Sequence, residues 1–423
     1  MTRTYQAEEW SSGQRYPVDL QGAHSIGAQT RSARRICLYS HDSFGLGHLR
    51  RNLAIAQELL RERGEFSVTL ISGSPVLRQW DLPTGLDIVA LPPVVKVAAE
   101  TYASHDPSKP YGLTRERREA IILQTLRAQR PEFLLVDHAP QGMNGELLAA
   151  LAMLRAEMPE TKVVLGLRDI LDAPETVRAL WRKQDIERLL LHSYDAVIVY
   201  GEKHLFDIAE AYGLGDKLAA KLTYCGHVVA KPDQQRGQPL WHSDLATPTK
   251  TILVTLGGGG DGYFLAQAAL LAFVEAARRD CRMMIVTGPL MPQDQQQALR
   301  QAATDAADVS IVESTTNLVP SLHAADLIIA MAGYNTCAEI IAARKNAIFV
   351  PRTSPRVEQL LRARQLAALG LSYMVEPGPE LVTNLAQRMQ EALAAPARAE
   401  AVWQQYDLNG AGRTASSLRE LCR

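Results

Sequence analysis

Cysteine is scarce in this chain. Five cysteines among 423 residues (Cys37, Cys225, Cys281, Cys337 and Cys422) are scattered, without a CxxC pair. That argues against a disulfide framework or a cysteine zinc site and predicts reduced, mostly buried thiols. Long apolar runs are missing too: none reaches the ~18 residues of a membrane span, and the N-terminus lacks a signal-peptide core. A cytoplasmic protein is expected. Charge of one sign is also lacking, since the formal net charge is −1, so nothing favours nonspecific binding to nucleic-acid phosphates. The dinucleotide fingerprint GxGxxG fails because position 50 is Arg, the Walker Gly-Lys-Ser/Thr does not follow the glycine run, and no Asp-x-Asp metal-bridging motif occurs.

What the chain does have is two matched strand–glycine–helix openings. Ile36–Ser40 runs into Phe44-Gly45-Leu46-Gly47-His48, and Thr251–Leu256 runs into Gly257-Gly258-Gly259-Gly260-Asp261-Gly262. Strand-like runs recur at 36–40, 67–72, 86–91, 133–137, 162–167, 195–200 and 222–225, then at 251–256, 282–287, 309–312, 326–329, 347–350 and 372–375. Helical patterns lie between them, including 49–63, 114–130, 174–192, 262–279, 292–305, 335–344, 355–369 and 379–395. This alternation predicts an α/β chain of two facing Rossmann-like domains with parallel sheets. The expected boundaries are a flexible extension 1–34, an N-terminal domain 35–230, a Pro- and Gln-rich linker 231–250, a C-terminal domain 251–396, and a final helix 397–423 with a crossing back to the first domain as an open alternative.

Each glycine turn places free backbone N–H groups at a helix start. Gly45 and Gly47 permit a tight turn, and His48 then reads either as its capping residue or as a general base at the cleft. Gly257, Gly258, Gly259 and Gly260 suit a flexible turn or close approach to a diphosphate. In Met331–Ile340, Gly333 ends a strand and Asn335 or Thr336 caps the next helix. Glu339 reads as a capping-box partner of Thr336 or as a carboxylate for the vicinal hydroxyls of a ribose. Glu358 and Gln359 follow Val350-Pro351 near another helix start, where they suit sugar hydroxyls or a solvated helix face.

In order and spacing these motifs resemble the GT-B glycosyltransferases. The chain is most similar to the family that includes the peptidoglycan N-acetylglucosaminyltransferase and the plastid galactolipid synthases, with its family 28 C-terminal domain. The likeness covers about 35–395 in architecture and is sharpest over Ala332–Gln359, where Gly333-x-x-Thr336-x-x-Glu339 and Val350-Pro351-x6-Glu358-Gln359 match. It implies a UDP-sugar donor in the C-terminal domain. Glu339 would hold the ribose, Glu358 and Gln359 the donor sugar, Gly257–Gly260 and Gly333–Thr336 the diphosphate, and Ser314 would lie at the uracil. Two departures stand out. The glycine loop is Gly-Gly-Gly-Gly-Asp, and Ala230 stands where an arginine is expected near the phosphates, leaving Lys231 to substitute.

The function this implies is inverting, metal-independent transfer of a hexose or N-acetylhexosamine to an unidentified acceptor, lipid-linked or glycan, with no cofactor beyond the donor. His48 is the first candidate base, Asp137 and His138 the second, and Arg168-Asp169 the third, all at strand ends. Epimerisation or hydrolysis of a sugar nucleotide on the same fold, and non-catalytic nucleotide-sugar binding, remain alternatives. The helical stretch 114–130, with Arg115, Arg117 and Arg118 beside Ile121–Leu123, reads as an ordinary surface helix or as a basic amphipathic contact with the inner face of a membrane.

Overall fold

Strand order alone explains where ligands can gather. In the computed structural model, which describes residues 33–41, 47–75, 77, 82–98, 101–229, 237–241, 250–276, 280–304, 306, 308–315 and 317–421, two all-parallel sheets dominate. The first contains β1 (Arg34–Tyr39), β2 (Phe66–Ser72), β3 (Leu86–Ala90), β6 (Phe133–Asp137), β7 (Lys162–Arg168), β8 (Ala196–Tyr200) and β9 (Leu222–Tyr224), in the order β3-β2-β1-β6-β7-β8-β9. A separate hairpin of β4 (Val94–Ala98) and β5 (Thr101–Ser104) follows β3. The helices of this domain are α1 (Gly47–Leu59), α2 (Tyr111–Gln129), α3 (Leu148–Glu157), α4 (Pro174–Lys183), α5 (Ile186–Ser193), α6 (Ile208–Tyr212) and α7 (Asp216–Ala219).

The second sheet contains β10 (Lys250–Thr255), β11 (Cys281–Val286), β12 (Val309–Val312), β13 (Leu327–Ala330), β14 (Ala347–Phe349) and β15 (Tyr373–Met374), ordered β12-β11-β10-β13-β14-β15. Its helices are α8 (Tyr263–Glu275), α9 (Gln293–Ala302), α10 (Val319–Ala324), α11 (Tyr334–Ala342), α12 (Glu358–Ala368) and α13 (Leu381–Ala394), followed by α14 (Glu400–Trp403) and α15 (Gly410–Glu420). In both sheets the strand order reverses beside the first strand, so loops after β1 and β6, and after β10 and β13, diverge and leave a crevice at the carboxyl edge.

The apolar strands bury both faces. Leu134, Val136, Leu165 and Val197 face one cluster and Leu38, Leu70, Leu135 and Ile198 another. Ile252, Val254, Ile285 and Ile329 do the same on one face of the second sheet, with Leu253, Ile328 and Phe349 on the other. Among the described residues the buried Cys37, Cys225, Cys281 and Cys337 form no disulfide, while Cys422 lies outside the described residues.

Local expectations fail where a single residue breaks a pattern. The helix expected over 174–192 splits into α4 and α5 because Asp185 takes a left-handed backbone at φ 53°. The helix expected over 397–423 is two pieces, and only α15 is long. Ala411, Ala415 and Leu418 of α15 share a buried cluster with Leu49, Leu53 and Ile55 of α1, and Arg419 pairs with Glu65 at 2.6 Å. Most of 231–250 lies outside the described residues. Within it, Leu240 and Trp241 pack on the C-terminal domain.

The alternative of a basic amphipathic face on α2 does not survive as one face. Arg118 is fully buried, with Nε 2.6 Å and Nη2 2.8 Å from the Glu146 carboxylate and Nη1 donating to the Pro92 carbonyl at 2.8 Å. Its charge is spent inside the domain, and only Arg115 and Arg117 remain nearer the surface. Among the described residues no helix is long and apolar enough to cross a membrane.

Candidate active site

His48 is the second residue of α1, and β6 ends at Asp137 on the strand beside β1. This brings His48 Nδ1 within 2.5 Å of Asp137 Oδ2. Arg51 stands one helical turn further on, so it shares that face of α1. It donates from Nε at 3.0 Å and Nη2 at 2.6 Å to Asp137 Oδ1. Burial opposes ionisation of Asp137, but Arg51 and then His48 outweigh it and hold the carboxyl well below its usual range. A charged carboxylate only accepts hydrogen bonds, so Nδ1 of His48 is the donor in this contact. Asp137 itself is 1% exposed with both oxygens engaged. Both oxygens of Asp137 are thus taken by His48 and Arg51, which leaves His48 the more accessible of the two candidate bases.

His138 follows with a left-handed backbone, φ 66°, which turns its ring 5.2 Å from that of His48. Burial first, and then the Arg168 charge, hold its imidazole well below the ordinary range, so it is neutral. His41, at the end of β1, completes a cluster at 5.6 Å from His48 and 5.9 Å from His138. Neither His41 nor Arg51 was among the residues expected from sequence. The i, i+3 spacing of His48 and Arg51 is the one local signal that could have found the second.

Asp169, of the third candidate pair, is engaged in an ion pair. The Asp169 carboxylate receives Arg362 Nε at 2.8 Å and Nη2 at 2.7 Å, and Arg362 Nη1 reaches the Ala332 carbonyl at 2.9 Å. This buried ion pair ties the two domains together behind the crevice. Beside it His227 stacks on Tyr406 at 3.8 Å, and burial pushes its imidazole down to about 4.

The facing wall is built largely of backbone. Gly257 and Gly259 adopt φ of 61° and 88°, and a Cβ on Gly259 would lie 2.1 Å from the Thr287 carbonyl oxygen. Part of the glycine run is thus required by packing against the loop after β11, where Leu290 N–H donates to Gly258 at 2.8 Å. Gly257 and Gly260 are exposed. Ser314 is exposed one residue beyond Glu313, whose carbonyl accepts from Gly288 at 2.7 Å.

Gly333 is the N-cap of α11 and no side chain caps the helix. Asn335 and Thr336 lie within its first turn, so the capping-box reading of Thr336 and Glu339 is overturned. Asn335 Nδ2 instead crosses the crevice and donates to the Gly47 carbonyl at 3.0 Å. Glu339 pairs with Arg50 Nη2 at 2.6 Å. Burial raises the Glu339 carboxyl against the opposing pull of Arg50. Glu358 and Gln359 open α12: Arg352 Nη2 meets Glu358 Oε1 at 2.6 Å and the Arg352 N–H donates to Gln359 Oε1 at 3.1 Å. Glu358 Oε2 is buried and accepts no hydrogen bond among the described residues. Gly45 and Lys231 lie outside the described residues.

Residues 251–415 match the glycosyltransferase family 28 C-terminal domain. The chain is a glycosyltransferase of the GT-B fold. It is 26% identical over 254 residues to the UDP-N-acetylglucosamine–N-acetylmuramyl-(pentapeptide) pyrophosphoryl-undecaprenol N-acetylglucosamine transferase of Vibrio cholerae, covering 60% of this chain and 69% of that one. The solved structure of MurG from Acinetobacter baumannii superposes with a TM-score of 0.55 at 16% identity, over 92% of this chain and 99% of the other. The calicheamicin glycosyltransferase CalG4 gives 0.59 at 16% identity, over 92% and 98%. The GT-B fold thus extends across both sheets.

Proposed function

We propose that this chain is an inverting, metal-independent glycosyltransferase that moves a hexose or N-acetylhexosamine from a UDP-sugar to a hydroxyl of a lipid-linked or glycan acceptor. The observation that carries this reading is the meeting of two unlike half-sites. The His48–Asp137 pair stands at the start of α1, and the start of α11 touches that same turn through Asn335 and Gly47 at 3.0 Å.

On the donor side, Glu339 accepts from the ribose hydroxyls, and Glu358 with Gln359 holds the sugar. The unpartnered Glu358 Oε2 supplies a buried acceptor for one sugar hydroxyl. The N–H groups at Gly257–Gly260 and Gly333–Thr336 receive the diphosphate, and Ser314 borders the uracil. On the acceptor side, His48 Nε2 takes the hydroxyl proton while the charged Asp137 stabilises the imidazolium that forms.

Transfer is then one displacement. The acceptor oxygen bonds to the anomeric carbon as the bond to the diphosphate oxygen breaks, and the proton passes to His48. Positive charge develops at the sugar and negative charge on the leaving diphosphate, which helix N-termini and backbone amides stabilise. A lipid-linked acceptor would bring the enzyme to the inner membrane face.

Calorimetric titration with UDP, with GDP and dTDP as controls, tests the donor half. Selective UDP binding that falls about 10- to 100-fold in Glu339→Ala is expected from losing a charged hydrogen-bond acceptor. Absence of binding by any nucleotide would sink the reading. Incubation with UDP-sugars separates the chemistry: a free sugar or an epimer formed without acceptor would replace transfer by hydrolysis or epimerisation.

A further inference from the structure

Two neighbouring arginines leave α1 in different directions. Arg51 turns into its own domain onto Asp137. Arg50 crosses to α11, where its guanidinium lies 2.6 Å from Glu339 Oε1; the two side chains are 30% and 11% exposed. Guanidinium and a vicinal diol both engage a carboxylate through paired donors. Arg50 therefore occupies Oε1, one of the two oxygens that a ribose diol would engage, and the two ligands compete for it.

We propose that Arg50 is a positioning residue of the donor site that exchanges partners: it yields Glu339 to the ribose and passes to the diphosphate of the same nucleotide. This rests on the assignment of Glu339 to the ribose made above. The move is short. Thr336 lies one helical turn before Glu339, roughly 5–6 Å away along the helix surface. A side chain on Gly257 would meet the Thr336 hydroxyl oxygen at 3.8 Å, so the glycine loop is the next surface Arg50 reaches. The exchange also balances charge. A guanidinium leaving a carboxylate finds a more highly charged, bidentate acceptor in the diphosphate, and Glu339 gives up an ion pair for two hydroxyl donors. Because Arg50 belongs to the N-terminal domain, its transfer would draw the His48 end of α1 towards the bound donor.

The test compares uridine, which has the ribose but no phosphate, with UDP. Both are titrated by ligand-observed NMR into wild type, Arg50→Met, Arg50→Lys and Glu339→Ala, with thermal unfolding as the check on folding. In Arg50→Met, uridine should bind several-fold more tightly because its competitor for Glu339 is gone. The advantage of UDP over uridine should shrink about tenfold, the worth of one charge-assisted contact. Arg50→Lys should restore most of that advantage, because a point charge still serves a phosphate.

Equal changes for uridine and UDP in Arg50→Met would make Arg50 a static brace and overturn the exchange. So would a failure of uridine to bind more tightly in Arg50→Met. If wild type binds UDP and Glu339→Ala does not, either result counts against Arg50 alone. If wild type binds neither ligand, the donor assignment of Glu339 falls and the exchange with it.

Discussion

The two walls of the crevice are made of different materials. The N-terminal wall, at the ends of β1 and β6, is a cluster of titratable side chains: His41, His48 and His138, ordered around Asp137 and Arg51. The C-terminal wall, at the ends of β10, β11, β13 and β14, is mostly main chain. It consists of the Gly257–Gly260 turn, Gly288 and the first turns of α11 and α12, with carboxylates set at Glu339 and Glu358. Moving a proton requires a group whose charge can change. Stabilising a departing anion requires several fixed dipoles aimed at one place. Under the proposed mechanism, one fold used twice would serve two needs by changing what projects from its strand ends.

The comparison breaks most visibly at His48. His48→Ala should lower kcat by about 10²- to 10⁴-fold while leaving UDP affinity within twofold, as read by steady-state kinetics beside calorimetry; a parallel loss of UDP binding would mean that the walls are not separable. Next in size is the tie between them. Arg362→Met leaves Asp169 buried without its partner and should destabilise the protein by about 3–5 kcal/mol in urea unfolding. Smallest is a change to the backbone wall. Gly259→Ala forces a side chain onto a left-handed residue against the Thr287 carbonyl and should cost about 1–3 kcal/mol. Its effect on kcat should be smaller than that of His48→Ala.

How much of this is legible without coordinates depends on sequence distance. The strands ending at Asp137, Thr255 and Ala330 announce themselves as apolar runs bounded by polar or glycine residues, and the switch-point crevice follows from their alternation. The partners of the site residues are less visible. Nothing local indicates that Arg50 meets Glu339 or that Arg362 meets Asp169, because each pair joins segments from different domains. Thr336-x-x-Glu339 carries the local signature of a capping box, but Gly333 starts the helix and Glu339 is held by a residue of the other domain. Arg118 shows the opposite error. In a one-dimensional pattern it joins Arg115 and Arg117, although the fold buries it against Glu146. The β4–β5 hairpin escapes notice because its strands are short and no Asn-Gly or Asp-Gly marks the turn.

The return of α15 to pack on α1 has a consequence for synthesis. Domains ordinarily fold as units while the chain emerges from the ribosome, the first ahead of the second. Here the layer that covers α1 is supplied by Ala411, Ala415 and Leu418, which are translated after the whole C-terminal sheet. The nascent N-terminal domain therefore carries this apolar face of α1 uncovered until α15 emerges to dock on it.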